Sequence, residues 1–428
     1  MRILFLADGR SPTTVRYLAA VAALGHEIHL VSSYPCEAPD PVASFATLPI
    51  AFSNFVSGKS GGTRVGMISG GTDESRGLDP GSRMTASALA VRRFRDFFLT
   101  FRYQSAPFSI PFSGRRFAAI AKKIRPDLIH ALRIPFEGMT ASYAPARYPL
   151  AVSVWGNDLT LHAYGSAGMM QLTRRTLART NGLAADTRRD IRLARALGLA
   201  DGKATAVVPG NGGIDIPSLV LASEADAPIL RRLPPNREFI LNPRGFRPGS
   251  VRTDTFFGAV PIVARQFPNI LFVCPAMADQ PEALDWVREL KIERNVLLLP
   301  SLPQPDLWAL FHHALMTITV SQHDGTPNSL LEAMTIGCFP VAGDIESLRE
   351  WITPGVNGLL VDPNSPEELA NAILSAMYNE GMRSRAARLN RGIVQERAEA
   401  SRVQTEIEVF YQRSEEHTSE LQSHELIS

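Results

Sequence analysis

Ser321 to Val341 read SQHDGTPNSLLEAMTIGCFPV. The apolar run before this stretch, Leu315 to Val320, has the length and β-branched content of a buried strand. A polar turn follows, Asp324-Gly325-Thr326-Pro327-Asn328, and from Ser329 the apolar residues recur at helical spacing until Gly337, a helix stop. Phe339 to Ala342 then begins another strand. Strand, turn, helix and strand in that order build a parallel sheet with helices on its faces, so the fold class is α/β. The helix start also aims the N–H groups of Ser329, Leu330 and Leu331, with the positive end of the helix dipole, at whatever lies beyond the sheet edge. That arrangement suits a phosphate.

The same alternation runs outward from this stretch. Strand signals precede it at Glu238–Leu241, Ile270–Cys274 and Val296–Leu299. Near the N-terminus, Arg2–Ala7 is followed by the turn Asp8-Gly9-Arg10-Ser11, a helical pattern closed by Gly25, and a second strand over His26–Ser32. Leu128–Ala131, Leu150–Val154, Gly182–Ala185 and Ala204–Val208 continue that series. Between the two series, 218–237 loses the rhythm and carries Pro234 and Pro235. The expected organisation is an N-terminal Rossmann-like domain over 1–217, a linker over 218–237, a second such domain over 238–390, and terminal helices over 391–412 that return to the first. Two doubly wound domains of this kind enclose a cleft at the carboxyl ends of their strands.

Composition narrows the function. The 428 residues are 45% hydrophobic and 20% charged, enough for two or three cored domains, and the formal charge of +2 argues against nucleic-acid phosphate as the partner. Cys36, Cys274 and Cys338 are widely spaced without a CxxC pair, which excludes a disulfide framework and a cysteine zinc site. Met1–Leu6 is too short for a signal peptide and no apolar run approaches the ~20 residues of a bilayer span, so a cytoplasmic location is expected. Residues 57–83 are rich in Gly and Ser and read as a loop or lid. From Arg92 to Arg125, arginines and lysines interleave with phenylalanines; the stretch reads either as two amphipathic helices with solvated charges or as a face for an anionic membrane. The tail from Arg413 to Ser428 resembles a translated sequencing adapter and is expected to be non-native.

Two acids carry the chemistry of the central stretch. Glu332, one turn into the helix, can accept hydrogen bonds from both hydroxyls of a ribose, and Asp324, at the strand end, can reach the hydroxyls of a sugar beyond the phosphates. Ser329 to Glu332 also has the spacing of a capping box, in which Glu332 only bonds back to the Ser329 backbone. Spacing alone leaves both readings open.

Asp324 to Glu332, with Ala333-Met334 and Gly337-Cys338-Phe339-Pro340-Val341, resembles the E-x7-E motif of the retaining GT-B glycosyltransferases of family 4, with Asp in place of the first Glu. Arg125-Pro126-Asp127-Leu128-Ile129-His130, the segment VVPGNGGID from Val207 to Asp215, Asn357-Gly358-Leu359 and the helix from Pro366 to Met377 are similar to the family in order and spacing. The resemblance spans Met1 to Gln412 and is strongest over Glu238 to Asp362. It implies a GT-B fold and transfer of a sugar, with retention, from a nucleotide-diphosphate sugar to a glycan or lipid-linked acceptor in surface polysaccharide or glycolipid synthesis, without another cofactor.

The resemblance also implies roles. Asp324, Arg244 and His130 would act on the donor sugar and diphosphate. Gly325, Thr326, Pro327, Asn328, Ser329, Leu330 and Glu332 would hold the donor. Gly9 would offer an N-terminal phosphate contact, although the family's glycine pair is here reduced to one. The family's diphosphate-binding lysine has no counterpart; Arg252 is the expected substitute and Arg247 its competitor. Trp155-Gly156-Asn157-Asp158 would line the acceptor side, and His312-His313 reads as structural. No Asp-x-Asp motif occurs, so a metal clamp is not expected and fixed arginines would stabilise the leaving charge. The alternative is a nucleotide-sugar-binding protein without turnover. An NAD-dependent oxidoreductase is disfavoured because no GxGxxG follows Leu6 or Leu241.

Overall fold

The computed structural model describes residues 1–50 and 95–425. The loop expected at 57–83 and the start of the basic aromatic stretch lie outside the described residues. Seven parallel strands form one sheet: β1 (Arg2–Ala7), β2 (Glu27–Ser32), β3 (Ser44–Thr47), β4 (Leu128–Leu132), β5 (Leu150–Val154), β6 (Gly182–Ala185) and β7 (Ala204–Val207), in the order β3-β2-β1-β4-β5-β6-β7. Six form the other: β8 (Phe239–Leu241), β9 (Leu271–Cys274), β10 (Val296–Leu298), β11 (Met316–Thr319), β12 (Phe339–Gly343) and β13 (Leu359–Val361), in the order β10-β9-β8-β11-β12-β13. Helices cover both faces, and strands such as Ile3–Leu6 are buried on each side, which is why they read as continuous apolar runs. In both sheets the chain first winds outward from its opening strand and then crosses to the other side of it. The order therefore reverses between β1 and β4 and again between β8 and β11, the two places where a crevice opens beyond the strand ends.

Four helices matter below: α1 (Pro12–Ala23), α2 (Arg95–Ile124), α3 (Asn328–Ile336) and α4 (Ala400–Glu425). The basic aromatic stretch is one long helix, α2, rather than two, despite Pro107 and Pro111 within it. The Tyr103 carbonyl, which Pro107 cannot serve, accepts from the Ser166 hydroxyl at 2.9 Å, so the turn survives the missing N–H. One face of α2 buries Ala106, Ile110, Phe117 and Ala121 in the core of the N-terminal sheet, and the other exposes Phe108 and Phe112.

Helix α4 crosses back to the N-terminal sheet, where Val403, Ile407, Phe410 and Tyr411 join a core with Phe5, Tyr17 and Leu30. It runs on past Gln412 into the segment that the sequence reading set aside, and Ser414 is buried against Gly182. The crossing lies beside the outgoing one: Ile214 donates to the Ala398 carbonyl and Ala400 to that of Ile214.

His130, expected to touch the donor sugar, belongs to this core instead. It is fully buried in β4, hydrogen-bonded through Nε2 to Ser153 Oγ and through Nδ1 to the Tyr411 hydroxyl, both at 2.9 Å, with its ring 5.4 Å from those of Phe5 and Tyr17. The alternation of β4 turns it into the interior, away from the cleft. Burial pushes its pKa down to about 3. An unfolded chain protonates this residue near 6.5, so its contribution to stability is present above that value and is lost as pH falls towards 3. Tyr411→Phe strips the Nδ1 partner inside a dry core. The expected loss is about 1–3 kcal/mol in urea unfolding, and a change under ~0.5 kcal/mol would contradict the pinning role.

Candidate active site at the edge of the C-terminal sheet

The turn after β11 and the loop after β8 flank the reversal of strand order in the C-terminal sheet, and their side chains meet there. Arg244 Nη2 donates to Asp324 Oδ2 at 2.5 Å, and both side chains are nearly buried. Ser321 Oγ donates to the same oxygen at 2.9 Å, the Gly325 N–H to Oδ1 at 3.1 Å, and Ser347 Oγ to the Asp324 carbonyl at 2.8 Å. Asp324 is thus fixed in direction before any ligand arrives. Arg244 Nε is buried without a hydrogen-bond partner.

Of the two arginines expected to compete for the second cationic position, Arg247 lies beside Arg244 and Arg252 is engaged elsewhere. Arg252 donates to both carboxylate oxygens of Asp254, at 2.9 and 2.7 Å, and also to Asn364, so its charge is answered outside the turn. Arg247 Nε instead bonds the Arg244 carbonyl at 3.1 Å, and the neighbouring Arg244 charge lowers its pKa to about 10. Two guanidinium groups held this close repel each other, and an anion between them relieves that repulsion.

Helix α3 begins at Asn328 after Pro327 and ends at Gly337, whose φ of 98° lies in the left-handed region. The capping box is not formed: no side chain caps the helix, Ser329 Oγ is buried without a partner, and Glu332 faces elsewhere. Gln304 Nε2 donates to Glu332 Oε1 at 2.7 Å, and Arg16 of α1 approaches the same oxygen at 3.7 Å. Burial raises the Glu332 pKa, opposed by the Arg16 charge. Of the three N–H groups expected to be free, those of Leu330 and Leu331 bond the Pro327 carbonyl at 2.9 and 3.3 Å. The Leu330 side chain lies in the core.

From the N-terminal sheet, Gly156 and Gly325 meet backbone to backbone. A Cβ on Gly325 would lie 2.9 Å from Gly156 Cα and 2.8 Å from Asp186 Oδ2. Thr326 Oγ1 donates to the Asp186 carbonyl at 3.0 Å and accepts from Trp351 Nε1 at 2.9 Å, while Asn157 donates to Ser250 and Asn211 to Asn328. Asp158 is buried under Arg133, 2.6 Å away. Gly9, expected at a phosphate, gives its N–H to Ser32 Oγ, and a Cβ there would strike Cys36 Sγ at 2.7 Å; close packing explains the glycine. Arg16, Gln304 and Asp186 carried no motif or spacing signal, and only the meeting of the sheets reveals them.

Comparison with known proteins places this geometry. Residues 251–392 match the family described as Glycosyl transferases group 1. Among solved structures, the sucrose-phosphate synthase of Thermosynechococcus elongatus superposes on this chain with a TM-score of 0.67 at 15% identity, covering 96% of this chain and 99% of that one. Anabaena Alr3699/HepE in complex with UDP and glucose gives 0.66 at 17% identity, over 96% and 99%. These likenesses show the GT-B fold. The poly(glycerol-phosphate) alpha-glucosyltransferase of Bacillus subtilis is 33% identical over 95 residues, 22% of this chain, and the D-inositol 3-phosphate glycosyltransferase of Thermobispora bispora 30% over 114 residues, 27% of this chain. The chain spans only 14% and 26% of the length of those two relatives.

If Arg244 and Arg247 form the anion site, Arg247→Ala should weaken binding of a nucleoside diphosphate about tenfold or more, as for a lost charge-assisted hydrogen bond, and Arg252→Ala should leave it within about twofold. Calorimetric titration of both variants with UDP and GDP checks this.

Proposed function

We propose that the chain is a retaining glycosyltransferase that moves a sugar from a nucleotide-diphosphate sugar to an acceptor held by the N-terminal sheet. The observation that carries this reading is the group of Asp324, Arg244, Arg247 and Glu332 around one reversal of strand order, with Asp324 and Glu332 inside the segment 251–392 that matches the Glycosyl transferases group 1 family. Glu332 would exchange Arg16 and Gln304 for the ribose hydroxyls, and Asp324 would accept from the donor sugar. The acceptor oxygen attacks the anomeric carbon on the face from which the diphosphate departs. The bond from that carbon to the diphosphate breaks, the bond to the acceptor forms, and the acceptor proton passes to a departing phosphate oxygen. Arg244, Arg247 and the start of α3 would stabilise the charge that develops there, in fixed positions that need no reorganisation.

The stripe that α2 turns outward supports a peripheral contact with an anionic membrane, and with it a lipid-linked acceptor. Phe108, Phe112, Arg115 and Lys122 are exposed at spacings of four, three and seven, hence on one helix face. No helix of the described residues is long and apolar enough to cross a membrane.

Asp324→Ala should lower nucleotide-diphosphate release from the cognate sugar donor by ~10² or more while sparing affinity for the free nucleotide. Equal loss of both would contradict this role for Asp324, and no release of nucleotide diphosphate from any donor by the wild type would favour a binding protein without turnover, the reading that shortening Glu to Asp leaves as the alternative. Activity should persist in EDTA, because two arginines occupy the place of a metal clamp; a strict requirement for Mg²⁺ or Mn²⁺ would contradict this. Phe108→Ser/Phe112→Ser should abolish flotation with phosphatidylglycerol vesicles at low salt, with donor hydrolysis unchanged.

A further inference from the structure

The reversal of strand order in the N-terminal sheet is the other place where a crevice is expected, and the polar groups gathered there were silent in the sequence. Glu137 lies there, 5% exposed, at the end of the β4 connection, and accepts a 2.6 Å hydrogen bond from Ser33 Oγ after β2. Burial raises its pKa. Beside it, Arg102 of α2 lies over the Phe136 ring, its guanidinium carbon 3.8 Å from the ring centroid and 6.0 Å from that of Tyr34. Neighbouring arginines are answered: Arg10 by Asp8 at 3.0 Å and Arg133 by Asp158 at 2.6 Å. Arg102 forms no ion pair among the described residues, and its Nε is buried without a hydrogen-bond partner.

The backbone that carries these groups is strained. Phe136 has φ of 69° and Arg133 of 127°, values that side-chain-bearing residues rarely hold unless their surroundings impose them, and such residues gather at ligand sites. The strained turn sets Phe136 beneath Arg102. A guanidinium stacked on an aromatic ring, with the Glu137 carboxylate nearby but no ion pair among the described residues, is ordered in advance for a two-pronged bond to an oxyanion.

We propose that this crevice recognises the acceptor and that the acceptor is a polyol bearing a phosphate: Arg102 forks onto the phosphate oxygens and Glu137 accepts from a hydroxyl. The inference rests on the glycosyltransferase reading for the word acceptor, and on the geometry of Arg102 and Glu137 for the ligand. The same phosphate chemistry occurs in a free phosphate monoester and in the phosphodiester of a lipid headgroup.

Calorimetric titration of the full chain with glycerol 3-phosphate and with glycerophosphoglycerol tests both sources. At least one should bind, with an affinity that falls about tenfold or more in Arg102→Gln, falls in Glu137→Gln, and is kept in Arg244→Gln, while glycerol alone does not bind. Preference for the monoester assigns a free phosphate; preference for the diester assigns a headgroup. Arg102→Lys keeps the charge but not the planar fork and should also weaken binding, which covers a glutamine variant that fails to fold. Equal affinity in wild type and both Arg102 variants, loss only in Arg244→Gln, or no binding of either probe overturns the proposal. No nucleotide sugar is needed, so a chain that binds the probe through Arg102 yet releases no nucleotide diphosphate from any donor keeps this site and loses the transferase reading.

Discussion

Everything at the site depends on the contact of two backbones. Gly156 and Gly325 approach so closely that neither has room for a side chain, and this brings the carboxyl edges of the two sheets together at the turn that carries Asp324. Thr326, Asn328 and Ser250 then find partners on the opposite sheet. A methyl group at position 325 would push the sheets apart and undo all three bonds together. The glycine therefore governs the distance between the halves as much as the shape of its own turn.

Charge is arranged by the same meeting. Asp186 is brought into a dry interface facing Asp190, Asp324 and Asp158, and burial together with those charges raises its pKa well above the usual carboxylate range. Asp324 and Asp158 each have an arginine, from their own half of the molecule, whereas Asp186 has the Gly156 N–H. Bringing the sheets together thus favours the protonated form of Asp186, an acid with no such role when exposed to water.

The fold was legible because parallel strands buried on both faces leave apolar runs that no other element imitates, and because Gly25, Gly337 and the prolines at 234 and 235 punctuate them. The turn that carries Asp324 was legible for the same reason: it follows a strand signal and precedes a helix that stops at a glycine. What escaped were contacts set by side-chain direction and by partners distant in sequence. Nothing in the order of residues 244–252 tells that Asp254 engages Arg252 and leaves Arg247 beside Arg244. The burial of His130 depends on α4, some 280 residues later, and the environment of Glu332 on Arg16, more than 300 residues earlier. That α2 is one helix and not two depends likewise on a distant partner, the hydroxyl of Ser166, which serves the Tyr103 carbonyl that Pro107 cannot.

The return of α4 to the sheet where the chain began has a mechanical meaning. The polypeptide passes between the halves twice, and at Ile214, Ala398 and Ala400 the two passages are laced to each other by backbone bonds. Two straps side by side flex about the line that joins them far more readily than they twist. Of the relative displacements of the halves, bending about that line is the one this lacing resists least and twisting the one it resists most.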